Sequence, residues 1–98
     1  MKSETYERVY VDVKAAFNSV GNLMPLEIRW IDGKVFEIDK VTDIRQAAAM
    51  KAGGQGDRYT VWIHGKQSYL FFERSGALSG SNLGRWFVES KSDNVLRR

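Results

Sequence analysis

Apolar and polar residues alternate in short runs along this chain, and each run ends at a turn signal. In the first run, residues 8–17, Val9, Val11 and Val13 fall on one face of an extended chain. A period of two residues is the period of a β-strand, and β-branched and aromatic side chains favour that conformation. The chain is therefore predicted to consist mainly of strands.

The dipeptide Asp32-Gly33 separates two further alternating runs, residues 26–31 and 34–41. It predicts an antiparallel hairpin, because glycine accepts a positive φ without steric cost. The loop length decides which side chains share a face. A two-residue loop would place a carboxylate, Glu37, opposite Ile28, whereas a three-residue loop with Gly33 as the bulge places Phe36 there. We therefore predict a bulged hairpin.

The second half of the chain continues in the same manner. Strands are predicted at residues 58–64 (RYTVWIH), 67–74 (QSYLFFER) and 85–89 (RWFVE), with a turn at Gly65 between the first two. The pattern W-I-x-G-K occurs at residue 30 and again at residue 62. It indicates two similar hairpins, which arise either from duplication or from the common needs of two hairpin tips.

Three stretches lack a clear strand pattern. Residues 43–52 form either a short helix, which three alanines and a capping Asp43 favour, or an irregular loop. Residues 75–84 are predicted to be a loop because they are rich in glycine and serine. Residues 91–98 are predicted to be a flexible tail.

These elements predict a mainly β fold in one domain that spans residues 1–90. Five to six short strands joined by tight turns favour a small, partly open antiparallel barrel, because a barrel buries one apolar face and leaves few exposed edges. A short helix or loop would follow the third strand. An oligonucleotide-binding (OB-like) barrel fits the helix, and an SH3-like barrel fits the loop.

Composition indicates the cellular location of the protein and the kind of partner that it could bind. The chain has no cysteine and carries no apolar run long enough to span a bilayer or to act as a signal sequence, so we expect a cytoplasmic protein that does not enter a membrane. Its net charge of +3 is uneven, with −2 over residues 1–43 and +5 over residues 44–98. The basic half is either an ordinary solubilising surface or a binding surface for an anionic partner.

Basic and aromatic residues are interleaved in that half. Surfaces that bind single-stranded nucleic acid combine a cationic groove with rings on which bases stack. The residues that would form this surface are Arg58, Tyr59, Trp62, Lys66, Tyr69, Arg74 and Arg85. The alternative is that the barrel simply buries its aromatic residues, with charged residues alternating beside them.

The first functional hypothesis is therefore a non-catalytic module that binds single-stranded nucleic acid. The second is a protein-interaction or regulatory module, which would use an edge strand such as residues 85–89, or the loop at residues 75–84, to bind a partner or a second copy of itself. We expect a monomer or a weak homodimer in either case.

Other candidate sites match no complete motif. The glycine-rich stretch at residues 53–58 fits neither the P-loop nor the dinucleotide fingerprint. His64 is the only histidine, and Glu37 and Asp39 are typical of the solvated face of a strand. We therefore expect no catalytic residue, no metal site and no cofactor.

The segments PLEIRWIDGKVFEIDKV, KAGGQGDRYTVWI, SYLFFE and RWFVE resemble a group of short uncharacterised proteins from clostridia and related bacteria, some of which are carried on mobile elements. The resemblance covers most of residues 25–89. The matching positions are Trp30, Gly33, Asp39, Lys40, Asp43, Arg45, Gly53, Gly54, Gly56, Arg58, Tyr59 and Trp86. The resemblance implies a small β-rich domain of bacterial origin and assigns no functional residue.

Overall fold

The computed structural model describes residues 6–48, 55–79 and 82–91, and within these ranges the chain forms seven strands and no helix. Among the described residues, no membrane-spanning helix occurs. The strands are β1 (Tyr6–Phe17), β2 (Leu23–Arg29), β3 (Val35–Glu37), β4 (Lys40–Ala48), β5 (Gln55–Ile63), β6 (Lys66–Ser79) and β7 (Asn82–Lys91).

All neighbouring strands are antiparallel, in the order β3-β2-β1-β7-β6-β5-β4. Strand β1 changes partner halfway, pairing with β7 up to Val11 and with β2 from Asp12 onward. The two outermost strands, β3 and β4, are joined through Ile38 and Asp39 alone. The sheet must therefore curl until its ends approach each other.

The join between β3 and β4 forms a corner of the fold. Ile38 donates a backbone hydrogen bond to Leu26 of β2 at 2.9 Å, whereas Asp39 donates one to Trp62 of β5 at 2.7 Å. Adjacent residues thus bond to opposite ends of the sheet. The predicted small, partly open antiparallel barrel is confirmed, with seven strands in place of five to six.

The bulged hairpin between β2 and β3 is confirmed as well. Ile28 lies opposite Phe36, and Trp30 and Lys34 close a three-residue loop with a 2.7 Å hydrogen bond. Gly33 has a φ of +91°, the left-handed conformation that the bulge requires. The side-chain pattern therefore predicted the register correctly.

The alternatives for residues 43–52 were both wrong as far as residue 48, because β4 continues to Ala48. Val41 pairs with Val61 of β5 and packs against the interior, and Ile44 pairs with Tyr59 but remains exposed. The pairing with β5 outweighs the helical preference of the alanines. Residues 49–54 lie outside the described ranges.

The predicted loop at residues 75–84 is also wrong for residues 75–79 and 82–84, because β6 runs to Ser79 and β7 begins at Asn82. Residues 80 and 81 lie outside the described ranges. Ser79 pairs with Asn82 after a register shift that follows Arg74. Of the predicted tail, only Lys91 is described, and it ends β7; residues 92–98 lie outside the described part of the chain.

Two clusters of apolar side chains occupy the two faces of the curled sheet. The interior cluster draws on β2, β5, β6 and β7, and consists of Ile28, Tyr59, Val61, Leu70, Phe72 and Trp86. Val11, Val13 and Ala15 of β1 pack against it, which confirms that this face of β1 points inward. A smaller cluster on the outer face contains Phe71 and Phe87, with Tyr10 beside them.

The barrel wall is incomplete between β6 and β7. Their ladder begins at the pair Phe71–Phe87, although β6 starts at Lys66 and β7 continues to Lys91. Residues 66–70 pair with β5 and residues 88–91 pair with β1, and the described ladder between β6 and β7 does not extend to either segment. We call the space between these two segments the β6–β7 opening.

Candidate nucleic-acid interface

A row of residues across four strands forms the centre of the outer face. Arg58 of β5 lies opposite Phe71 of β6, which lies opposite Phe87 of β7, which in turn lies opposite Tyr10 of β1. Directly paired residues share one face of a sheet, so these four side chains are neighbours. The rings of Phe71 and Phe87 stack with centroids 5.0 Å apart, and Phe87 is fully buried.

Cationic side chains lie over the aromatic rings of this face. The guanidinium of Arg8 is 5.3 Å from the ring centroid of Phe87, and those of Arg58 and Arg85 are 4.6 Å and 4.0 Å from the rings of Tyr69 and Tyr10. The ammonium of Lys40 lies 5.1 Å from the ring of Trp62. We call this set the outer basic face: Arg8, Lys40, Arg58, Arg85, Tyr10, Trp62, Tyr69 and Phe87.

One carboxylate organises part of the outer basic face. Glu73 accepts a hydrogen bond of 2.7 Å from the hydroxyl of Tyr10 and forms ion pairs with Arg8 at 3.3 Å and Arg85 at 3.5 Å. The hydrogen bond from Tyr10, together with the charges of the two arginines, holds the pKa of Glu73 below its ordinary value of 4.5. Glu73 is therefore ionised at neutral pH and fixes both arginines in place.

Arg58, like Lys40, is less constrained than Arg8 and Arg85, which both pair with Glu73. It forms no ion pair with the part of the chain that the structure describes, and its buried Nε lacks a hydrogen-bond partner there. Its neighbour across the β4–β5 ladder is a second arginine, Arg45, whose charge is balanced by Asp43 at 2.7 Å. The positive charge of Arg58 is thus not neutralised by a carboxylate of the described residues.

The seven residues predicted from the sequence are not all in one place. Arg58, Trp62, Tyr69 and Arg85 lie on the outer basic face. Lys66 is exposed at the hairpin that joins β5 to β6, beside the β6–β7 opening.

The other two predicted residues, Tyr59 and Arg74, lie away from this face. Tyr59 is buried in the interior, where its hydroxyl donates a 2.6 Å hydrogen bond to the carbonyl of Leu23, and burial raises its pKa. Arg74 forms a 2.7 Å ion pair with Asp57, near the opposite end of the barrel. Neither residue is part of the exposed stacking surface.

Sequence reasoning missed Arg8, Tyr10 and Lys40. Arg8 and Tyr10 alternate with the inward-facing Val9 and Val11, so their outward direction was visible in the pattern. Their place beside Phe87 was not visible, because it depends on the pairing of β1 with β7.

Two other groups of sequence candidates lie on β5 and in the turn that follows it. Gly56, Asp57 and Arg58 belong to β5, while residues 53 and 54 lie outside the described ranges. His64 occupies the exposed turn after β5, and no group of three or more metal-binding side chains occurs among the residues described.

Comparisons with protein families, with curated proteins and with solved structures found no match to this chain. The resemblance to short clostridial proteins therefore stays a prediction.

Proposed function

We propose that this protein is a non-catalytic binding module that holds single-stranded nucleic acid on the outer basic face. The observation that supports the proposal is the placement of four cations over four aromatic rings on one face of the sheet. Single-stranded nucleic acid offers both groups that such a face can bind, a flat base and a phosphate.

The chemistry of binding follows from how these cations are held. Unstacked bases pack on guanidinium groups as they do on aromatic rings, so a base can extend the stack that Arg58 begins on Tyr69. The guanidinium of Arg58 also forms no ion pair with a carboxylate of the described residues, so its charge can attract a phosphate.

The same face limits the strength of binding. Glu73 neutralises part of the charge of Arg8 and Arg85, and Asp43 that of Arg45. We therefore expect few phosphate contacts and little preference for sequence, since stacking on a ring or a guanidinium is possible for every base.

Fluorescence anisotropy with labelled oligo(dT) and oligo(U) at two salt concentrations tests the proposal. Binding should weaken as salt rises, with a slope that decreases by about 0.7 for each phosphate contact removed. Arg58→Gln and Arg85→Gln should each raise the Kd at least about fivefold, because losing one stacked base costs about 1 kcal/mol or more.

Arg29→Gln is the matched control. Arg29 is an exposed arginine on β2, and it pairs with the part of β1 that follows the change of partner strand. Its Kd should equal that of the unaltered protein. An absence of binding at low salt, or an equal loss in all three variants, would count against a specific role for the outer basic face.

The alternative of a protein-interaction module also has an observation in its favour. Residues 75–79 and 82–84 belong to strands, so interaction through a loop there has no basis. The predicted edge strand at residues 85–89 is wrong for Arg85, Trp86 and Phe87, because β7 lies between β1 and β6 and these three residues pair with β6. The observation that favours the alternative is that the β6–β7 ladder stops at Phe87.

A further inference from the structure

Two pairs of planar groups on the outer basic face offer exposed surfaces on which a base can stack. In the first, the guanidinium of Arg58 lies 4.6 Å from the ring centroid of Tyr69, which is 45% exposed. In the second, the guanidinium of Arg85, whose side chain is 61% exposed, lies 4.0 Å from the ring centroid of Tyr10. Aromatic rings and guanidinium planes both accept the flat face of a base. We call these the first and the second stacking pair.

The outer basic face contains two further cation–ring pairs, which are less suited to stacking. Arg8 lies over Phe87, but the ring is fully buried and only 28% of the Arg8 side chain is exposed. Lys40 lies over Trp62, and an ammonium group is not planar. The first and second stacking pairs are therefore the two places where a base finds an exposed flat surface.

The distance between the two stacking pairs follows from the rings that lie between them. Phe71, Phe87 and Tyr10 follow one another across β6, β7 and β1, with ring centroids 5.0 Å and 5.7 Å apart. Tyr69 lies two residues before Phe71 on β6, a displacement of about 6.8 Å at right angles to that row. The two legs of this right angle place Tyr69 and Tyr10 about 13 Å apart.

An extended nucleic-acid strand spans this distance in two nucleotide steps. A nucleotide has twice as many backbone bonds as an amino-acid residue, so one step covers at most about 7 Å and two steps about 14 Å. Adjacent bases therefore cannot reach both stacking pairs, whereas bases separated by one nucleotide can. A longer separation also reaches, but it leaves slack in the strand whose ordering costs entropy.

We infer that the outer basic face binds a three-nucleotide unit of single-stranded nucleic acid, whose first and third bases stack on the two stacking pairs. This inference rests on the proposed function and adds to it the length and base spacing of the ligand. The middle nucleotide crosses the buried rings of Phe71 and Phe87, so its base needs no contact. The bases of a duplex lie about 3.4 Å apart along each strand, so this spacing favours an unpaired strand.

Labelled ten-nucleotide DNA strands with two thymines among abasic nucleotides test the spacing, because all of them carry the same number of phosphates. The thymines are adjacent or are separated by one, two or three abasic nucleotides. In fluorescence anisotropy at low salt, we expect the lowest Kd with one intervening nucleotide. The Kd for adjacent thymines should be at least about fivefold higher, because only one of them can stack on a pair. An equal or lower Kd for adjacent thymines would overturn the inference.

Two variants test whether the spacing preference arises at the stacking pairs. Arg85→Gln and Tyr69→Leu each remove one stacking surface and should abolish the preference for one intervening nucleotide. Phe17→Leu is the matched control and should keep it, because Phe17 is 63% exposed and lines a cavity with Arg74 at the opposite end of the barrel. A preference that persists in Arg85→Gln and Tyr69→Leu would overturn the inference.

A strand of ten thymines separates failure of this inference from failure of the proposed function. If that strand does not bind at low salt, both are wrong. If it binds with the expected salt dependence but the Kd does not vary with thymine spacing, the face binds nucleic acid without a fixed spacing of bases. Only the three-nucleotide inference is then wrong.

Discussion

Glu73 lies between Arg8 and Arg85 and accepts a hydrogen bond from Tyr10. These contacts come from three strands, because Arg8 and Tyr10 lie on β1, Glu73 on β6 and Arg85 on β7. A single carboxylate therefore connects the strands that meet at the centre of the outer basic face.

Glu73→Gln should lower the free energy of unfolding by about 1 kcal/mol at pH 7, because the neutral amide forms weaker bonds to two half-exposed arginines and Tyr10. The pKa of Glu73 is lower in the folded than in the unfolded chain, so this stabilisation is complete above pH 4.5 and is lost as the pH falls through the folded-state pKa. Urea unfolding at pH 7 and pH 3 measures the difference.

Glu27→Gln is the control for that prediction. Among the described residues, the ion pair of Glu27 is a long one of 4.0 Å to the exposed ammonium of Lys14, and its loss should change stability by less than about 0.5 kcal/mol at pH 7. A Glu73→Gln variant as stable as Glu27→Gln at pH 7 would contradict the central role of Glu73.

Gly84 permits a close approach of β7 to β6. It has a φ of +155°, and a Cβ there would lie 2.4 Å from the carbonyl oxygen of Glu73 and 2.7 Å from the ring of Phe72. Gly84→Ala should therefore destabilise the fold by about 3 kcal/mol. Thermal unfolding should show a Tm more than about 10 °C lower.

The neighbouring variant Leu83→Ala alters an exposed side chain and should shift the Tm by only a few degrees. If Gly84→Ala behaved in the same way, the strands would have to separate at this point without cost, contrary to the contacts described.

At the scale of the strand and its turn, the two W-I-x-G-K segments form different structures. The first turn is a three-residue loop with a bulge at Gly33, whereas the second contains only His64 and Gly65 between the paired residues. Their φ values of +52° and +76° are those of a type I′ turn. The shared letters therefore reflect a common need for glycine near the tip rather than a common turn.

The left-handed conformation of His64 can be tested with two substitutions at that position. Both substitutions remove the edge-to-face contact of His64 with Phe36, whose ring centroids are 6.4 Å apart. The difference in stability between the two variants therefore reports the cost of the left-handed backbone conformation. His64→Asn should be more stable than His64→Val by about 1–2 kcal/mol, because asparagine tolerates a positive φ and a β-branched residue does not. Equal unfolding midpoints in urea would argue against the type I′ turn.

The local pattern of apolar and polar residues predicted some strands correctly and others incorrectly, and each outcome has a physical reason. It gave the register of Ile28 with Phe36, because a shift of one residue would have buried Glu37. It failed at residues 43–48, where alanines favour a helix in isolation but β5 supplies a partner strand. The run predicted from residue 26 begins too late, because β2 starts at Leu23 and includes Pro25, where the register between β1 and β2 shifts.

For the whole molecule, many short strands predicted a barrel, but the pattern could not specify how it closes. Ile38 and Asp39 form the corner between β3 and β4, but neither residue type is typical of a sharp bend. No sequence pattern predicts that β1 changes its partner strand after Val11. For the same reason, the sequence predicted only some of the residues of the outer basic face. Arg58 and Tyr69 belong to one hairpin, whereas Arg8 and Tyr10 join them only through pairing between the two ends of the described chain.

The pairing between β1 and β7, which forms a seam between the two ends of the described chain, has a consequence for the time course of folding. Within β1–β3 and within β4–β7, each strand pairs with its neighbour along the chain, so these two groups form by closing short loops. The contact between Tyr10 and Arg85 instead closes a loop of 75 residues. Because the entropy lost on closure grows with loop length, the two groups form early and their union along the seam is the slow step.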